Sequence, residues 1–130
     1  MCLIIWGLYR RKQGFTKIKK GADLDYVMLF KHVVDNNFRE QKQVGNYARQ
    51  LRVAEKRLNQ ATSKILGKSP KELINDRVIL EAKRLLAHTN ESVKEIGFAL
   101  GFDEPTNFIK YFRKHSKSTP VDFRDEFTSA

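Results

Sequence analysis

From Asp25 onward, apolar positions recur at three- and four-residue spacing, the period of an α-helix, and no stretch sustains the alternation of a strand. Breakers and start signals divide this pattern into helices predicted over 25–38, 43–51, 55–66, 70–88, 92–100, 105–116 and 120–127. Ser69-Pro70-Lys71-Glu72 and Ser92-Val93-Lys94-Glu95 read as capping boxes, the first with proline at the first helical position. Thr119-Pro120-Val121-Asp122 reads as a third start, with Asp122 where a helix N-terminus favours negative charge. The expected fold is all-α: seven helices forming two helix-turn-helix subdomains joined by a long linker helix.

The two subdomains are expected because the pattern repeats. Shifted by 50 residues, Leu58 falls on Phe108, Gln60 on Lys110, Lys64 on Lys114, Pro70 on Pro120 and Leu73 on Phe123. Before the turn the best shift is 49, placing Ala48 on Gly97, Leu51 on Leu100 and Val53 on Phe102. Each copy is a short helix with a small residue at its close-packing position, a tight turn and a second helix. Gly101 suits a left-handed turn, whereas its counterpart Arg52 makes the first turn strained or less tight.

At about 100° per residue, Leu58, Ala61, Thr62 and Ile65 share the inner face of the first copy's second helix. Lys56, Gln60 and Ser63 lie opposite, flanked by Asn59 and Lys64. In the later copy Phe108, Tyr111 and Phe112 face inward, while Thr106, Lys110 and Arg113 face out, flanked by Asn107 and Lys114. Both outer faces combine bases with amides or hydroxyls and hold no carboxylate. Such groups hydrogen-bond base edges and phosphates, and a carboxylate would be repelled by a nucleic-acid backbone.

The chain has 130 residues, 25 Lys plus Arg and 15 Asp plus Glu, a formal net charge of +10. That excess points to a polyanion without saying which. Residues 1–20 carry six units of it, as Arg10, Arg11, Lys12, Lys17, Lys19 and Lys20 with no acid. The acid-free runs Lys56–Lys71 and Pro105–Val121 cover the two second helices, so it is arrangement rather than total charge that favours nucleic acid. The predicted linker of about 18 residues spans roughly 27 Å at 1.5 Å per residue. The two second helices are therefore expected in successive major grooves, roughly 34 Å apart, with the duplex bent if the linker is rigid.

Residues 67–70 (GKSP), 77–89 (RVILEAKRLLAHT), 92–102 (SVKEIGFALGF) and 107–124 (NFIKYFRKHSKSTPVDFR) together resemble the DNA-binding domain of the AraC/XylS family of bacterial transcription regulators. The resemblance covers roughly 26–127. It implies double-stranded promoter DNA and RNA polymerase as partners, activation as the usual sign, and a cytoplasmic site of action. It places the first recognition helix on Lys56, Asn59, Gln60, Ser63 and Lys64, and the second on Thr106, Asn107, Lys110, Arg113 and Lys114. Three residues depart from the family pattern: Ala54 where a Ser or Thr cap is usual, Thr62 for a large apolar residue, and Lys117 for a glycine. The expected domain runs over 25–127, with helix-turn-helix units at 43–66 and 92–116 around a linker at 70–88. Residues 1–24 are read as a basic tail or linker remnant and 128–130 as a second tail. The stretch before the first helix is too short for the sensor domain of many relatives, so the reading is a single-domain regulator or a fragment, with no small-molecule site.

Other chemistry finds little support. The apolar run Met1–Tyr9 precedes its basic cluster, the reverse of a signal peptide, and a membrane role is a minor alternative. His32, His88 and His115 match no metal-ligand spacing, and Cys2 has no partner motif, so neither metal nor cofactor is expected. Asp103 and Glu104 are read as a helix start rather than a catalytic pair, and no phosphate-binding loop or other enzyme motif is present. The competing function is a helical protein-interaction module or decoy that has lost DNA affinity, kept open by Ala54 and Thr62.

Overall fold

The computed structural model describes residues 18–129. The expectations for the extreme N-terminus, Cys2 included, lie outside these residues. Seven helices follow one another in them, without a strand: α1 (Ile18–Asn37), α2 (Val44–Leu51), α3 (Glu55–Leu66), α4 (Pro70–His88), α5 (Val93–Ala99), α6 (Pro105–Ser116) and α7 (Pro120–Ser129). Helices α3, α4 and α6 have the predicted bounds.

Helix α1 begins at Ile18 rather than at Asp25. Its buried stripe runs Asp23, Val27, Phe30, Val34, at helical spacing. A carboxylate at the first of these positions hides the register from any reading of hydrophobicity. Helix α7 likewise continues to Ser129, with Thr128 Oγ1 donating to the carbonyls of Arg124 and Asp125 at 3.0 and 3.1 Å.

The chain divides into two compact units. Among the described residues, the first takes in 18–34 and Gln43–Pro70. Here Phe30 meets the fully buried Tyr47 edge-on at 5.7 Å, and Ala48, Leu58 and Ala61 complete the core. The α2–α3 turn is closed by Val53 N–H donating to Ala48 O at 3.0 Å, with Arg52 at φ 57°, ψ 42°. The first turn is therefore tight, and an L-residue occupies its left-handed position. Thr62 is wholly buried, and its hydroxyl donates to Asn59 O at 3.2 Å, so the polar atom in the core is satisfied. Ile65, expected on the inner face, is 40% exposed.

The second unit is Asp35–Lys42 together with the chain from Lys71 onward. Its core takes Phe38, Ile74, Val78, Ala82 and Leu86 from the first two stretches, and Ile96, Leu100, Phe108 and Phe112 from the helix-turn-helix. Full burial of each Phe, Leu, Ile or Val among them contributes about 1.5–3 kcal/mol. Phe102, Phe108, Phe112 and Phe123 form a run of ring contacts at 5.4–6.0 Å. A Cβ on Gly97 would stand 3.1 Å from Phe108 Cβ, which is the close packing its small size permits. At Gly101, φ is +91° and a Cβ would fall 1.8 Å from the Arg39 carbonyl oxygen, so only glycine fits.

Two cations close helix ends in this unit. Lys42 Nζ donates to Leu100 O at 2.6 Å, just past α5, and lies 4.9 Å from the Phe102 ring centroid. Burial pushes its ammonium below the usual lysine range. Arg124 donates to Leu86 O at 3.0 Å and Thr89 O at 3.3 Å, satisfying carbonyls at the end of α4.

Candidate nucleic-acid interface

Leu58, Ala61 and Thr62 anchor α3, and Phe108 and Phe112 anchor α6, all fully buried. Helical geometry then turns the remaining arc of each helix outward. Lys56, Asn59, Gln60, Ser63 and Lys64 are all exposed on α3. Thr106, Asn107, Lys110, Arg113 and Lys114 are all exposed on α6. Each helix thus brings its own five predicted residues onto its accessible side.

Tyr111 fixes the roll of α6. Its hydroxyl donates to Asn75 Oδ1 at 2.5 Å, and its ring packs against Phe102 at 5.1 Å and His115 at 4.5 Å. Burial, then the nearby Asp76 carboxylate, raises the phenol far above its ordinary range, so it stays a neutral donor. His115 is lowered by burial and by Lys114 and Lys71, against an opposing pull from Asp76.

The helix starts differ in quality. Ser92 and Glu95 form a reciprocal capping box, with Glu95 N–H donating to Ser92 Oγ at 3.1 Å and Ser92 N–H to Glu95 Oε1 at 2.9 Å. These bonds lower the Glu95 carboxyl. Thr119 Oγ1 accepts from Asp122 N–H at 3.1 Å, as expected. Glu104, read as a cap, is the residue before α6 but makes no side-chain cap bond. Its side chain is longer than those of the Ser, Thr, Asp and Asn that favour this position. Ala54 makes none either.

The face of α3 is not free of carboxylate, as its own sequence suggests. Asp23 of α1 places Oδ1 2.5 Å from Arg57 Nη1 and Oδ2 3.5 Å from Lys64 Nζ. The Arg57 guanidinium beside it holds the Asp23 carboxyl below its ordinary value, against the opposing effect of burial. Nothing in the α3 sequence signals this pairing; the helical spacing of Asp23 with Val27 and Phe30 was the available clue.

Arg52 at the α2–α3 turn and Lys117 after α6, singled out in the sequence for their turns and not as contacts, are two further exposed cations, both at positive φ. Their repeat counterparts, Gly101 and Gly67, are left-handed glycines, which is the signal that marks them. Among the described residues, no group of three or more His, Cys, Asp or Glu is placed to hold a metal ion, and no helix is long and apolar enough to cross a membrane.

A family model described as a helix-turn-helix domain matches residues 47–126. The chain is similar to the HTH-type transcriptional activator RhaS of Pectobacterium carotovorum subsp. carotovorum strain PC1, at 26% identity over 116 residues. That match covers 89% of this chain and 42% of the relative, so the chain spans less than half of that protein's length. Among solved structures, it resembles the C-terminal domain of AraT, a response regulator from Geobacillus stearothermophilus (TM-score 0.72, 22% identity, 78% of this chain and 84% of that one). It also resembles the DNA-binding domain of the global transcriptional factor AdpA, solved with a target DNA (TM-score 0.67, 22% identity, 77% and 90%). At these identities the two likenesses establish the all-α fold.

Proposed function

The chain belongs to the AraC/XylS family of helix-turn-helix transcription regulators, and from that premise we propose that it binds specific double-stranded promoter DNA. One observation carries the reading: two repeat-equivalent helices, each after a tight turn, expose bases with amides or hydroxyls at corresponding positions. Each helix enters a major groove, α3 presenting Lys56, Asn59, Gln60 and Ser63 and α6 its five residues to bases and phosphates. Gln60 and Asn59 suit the donor–acceptor pattern of adenine, while Lys56, Lys110, Arg113 and Lys114 suit guanine edges or phosphates. On this reading the chain acts in the cytoplasm as an activator, works through RNA polymerase, and binds rather than catalyses. The activator names of its relatives and the DNA complex of AdpA support it.

Duplexes selected from a random pool provide the test. Binding should survive unselected competitor DNA and weaken linearly in log–log form as salt rises. Gln60→Ala and Lys110→Ala should each weaken the selected complex by about 1–3 kcal/mol if the side chain reads a base. Unchanged affinity in both variants would show that these helices do not read the site. An absence of any selected sequence would favour the protein-interaction alternative.

A further inference from the structure

Asp23 is a carboxylate on the buried stripe of α1, its side chain only 13% exposed. Arg57 occupies Oδ1, and its guanidinium also lies 5.1 Å from the Tyr26 ring centroid, so that cation is held from two sides. Oδ2 faces Lys64, whose side chain is 74% exposed on the outer arc of α3. A carboxylate and a phosphate compete for the same ammonium. An ammonium that reaches a phosphate must give up most of what it gains from Asp23. The acid comes from a different helix, which is why a stretch acid-free in sequence is partly neutralised in the fold.

Building on the DNA-binding reading, we propose that Asp23 is an affinity-setting residue: by engaging Lys64 it withholds one phosphate contact from α3. A phosphate contact is sequence-independent, so the effect falls equally on selected and unselected duplexes. Lys64 is then a reserve cation rather than a base reader in the native protein.

Fluorescence anisotropy of the full chain on a selected and an unselected duplex, across a salt series, tests this with Asp23→Asn, Lys64→Gln and the double variant. Asp23→Asn should tighten both duplexes about two- to fivefold at low salt, the range set by a largely exposed ion pair. It should steepen the salt slope by about 0.9, the increment for one phosphate. In the Lys64→Gln background it should change neither. Lys64→Gln alone should cost less than about twofold, a measurement that stands even if Asp23→Asn fails to fold. Unchanged or weaker binding by Asp23→Asn, an equal gain without Lys64, or a tenfold loss in Lys64→Gln would each overturn the assignment. If the native chain binds no duplex at all, the DNA-binding reading itself falls and this proposal with it. If it binds and these variants misbehave, only the role of Asp23 is lost.

Discussion

Among the described residues four adopt positive φ: Arg52, Gly67, Gly101 and Lys117. They are the two turns and the two ends of the outward helices, so each copy spends one glycine and one cation on the same pair of tasks. A left-handed L-residue costs about 1–2 kcal/mol, less what glycine loses in chain entropy. Lys117→Gly, which copies Gly67, should stabilise the fold by about 1 kcal/mol, read as a higher urea midpoint with unchanged m-value. A lowered midpoint would mean that the lysine side chain makes a compensating contact. His115 gives a pH signature. Its folded-state value lies below the ordinary one, so the unfolded chain holds the proton more readily. Its contribution is complete above about pH 6.5, the unperturbed histidine value, and is lost as pH falls through the folded value. His115→Gln should flatten the decline in urea midpoint from about pH 7 to 5; an unchanged slope would place that titration elsewhere.

Helix α3 enters without a cap, although the backbone before it is ready for one: Ala54 has φ −68° and ψ 145° with no side-chain bond. Ala54→Ser should add about 1 kcal/mol by accepting from the first-turn N–H groups, seen as a rise of several degrees in melting temperature. No rise would imply that those groups already have water or other partners. The elements that were legible in sequence share a feature, namely that their ends are written locally. Pro70, Pro105 and Pro120 begin helices at once, Ser92 and Glu95 cap another, and Gly67 ends α3. What was not legible depends on a neighbour. The start of α1 was masked by Asp23, whose reason for facing inward is Arg57 on α3. Ile65 has the right phase for burial but lies on the last turn of α3 and is exposed, which its spacing alone does not signal. Lys42 lies outside the helices altogether, and only the fold brings it to Leu100. The outward residues of α3 and α6 were readable because exposure follows from helical phase once the buried side is known.

At the scale of the whole chain, the second unit draws on a segment far from its main sequence. Residues 35–42 supply Phe38, beneath the Arg77 guanidinium at 4.3 Å, and Asp35, which accepts from Arg77 Nε at 2.9 Å. The same segment supplies the Arg39 carbonyl against Gly101 and the Lys42 donor to Leu100. A chain of residues 71–130 alone loses all four. Its thermal transition, followed by far-UV circular dichroism, should fall well below that of the full chain or lose cooperativity. A melting temperature equal to the full chain's would show that the segment is dispensable. The seat of Gly101 against Arg39 also bears on how such proteins can be recombined. A graft of Val93–Ser116 moves the outward helix into a new host but leaves behind the carbonyl that its turn was cut to fit. The smallest transferable half of this molecule is discontinuous, written once at 35–42 and again from residue 71 onward.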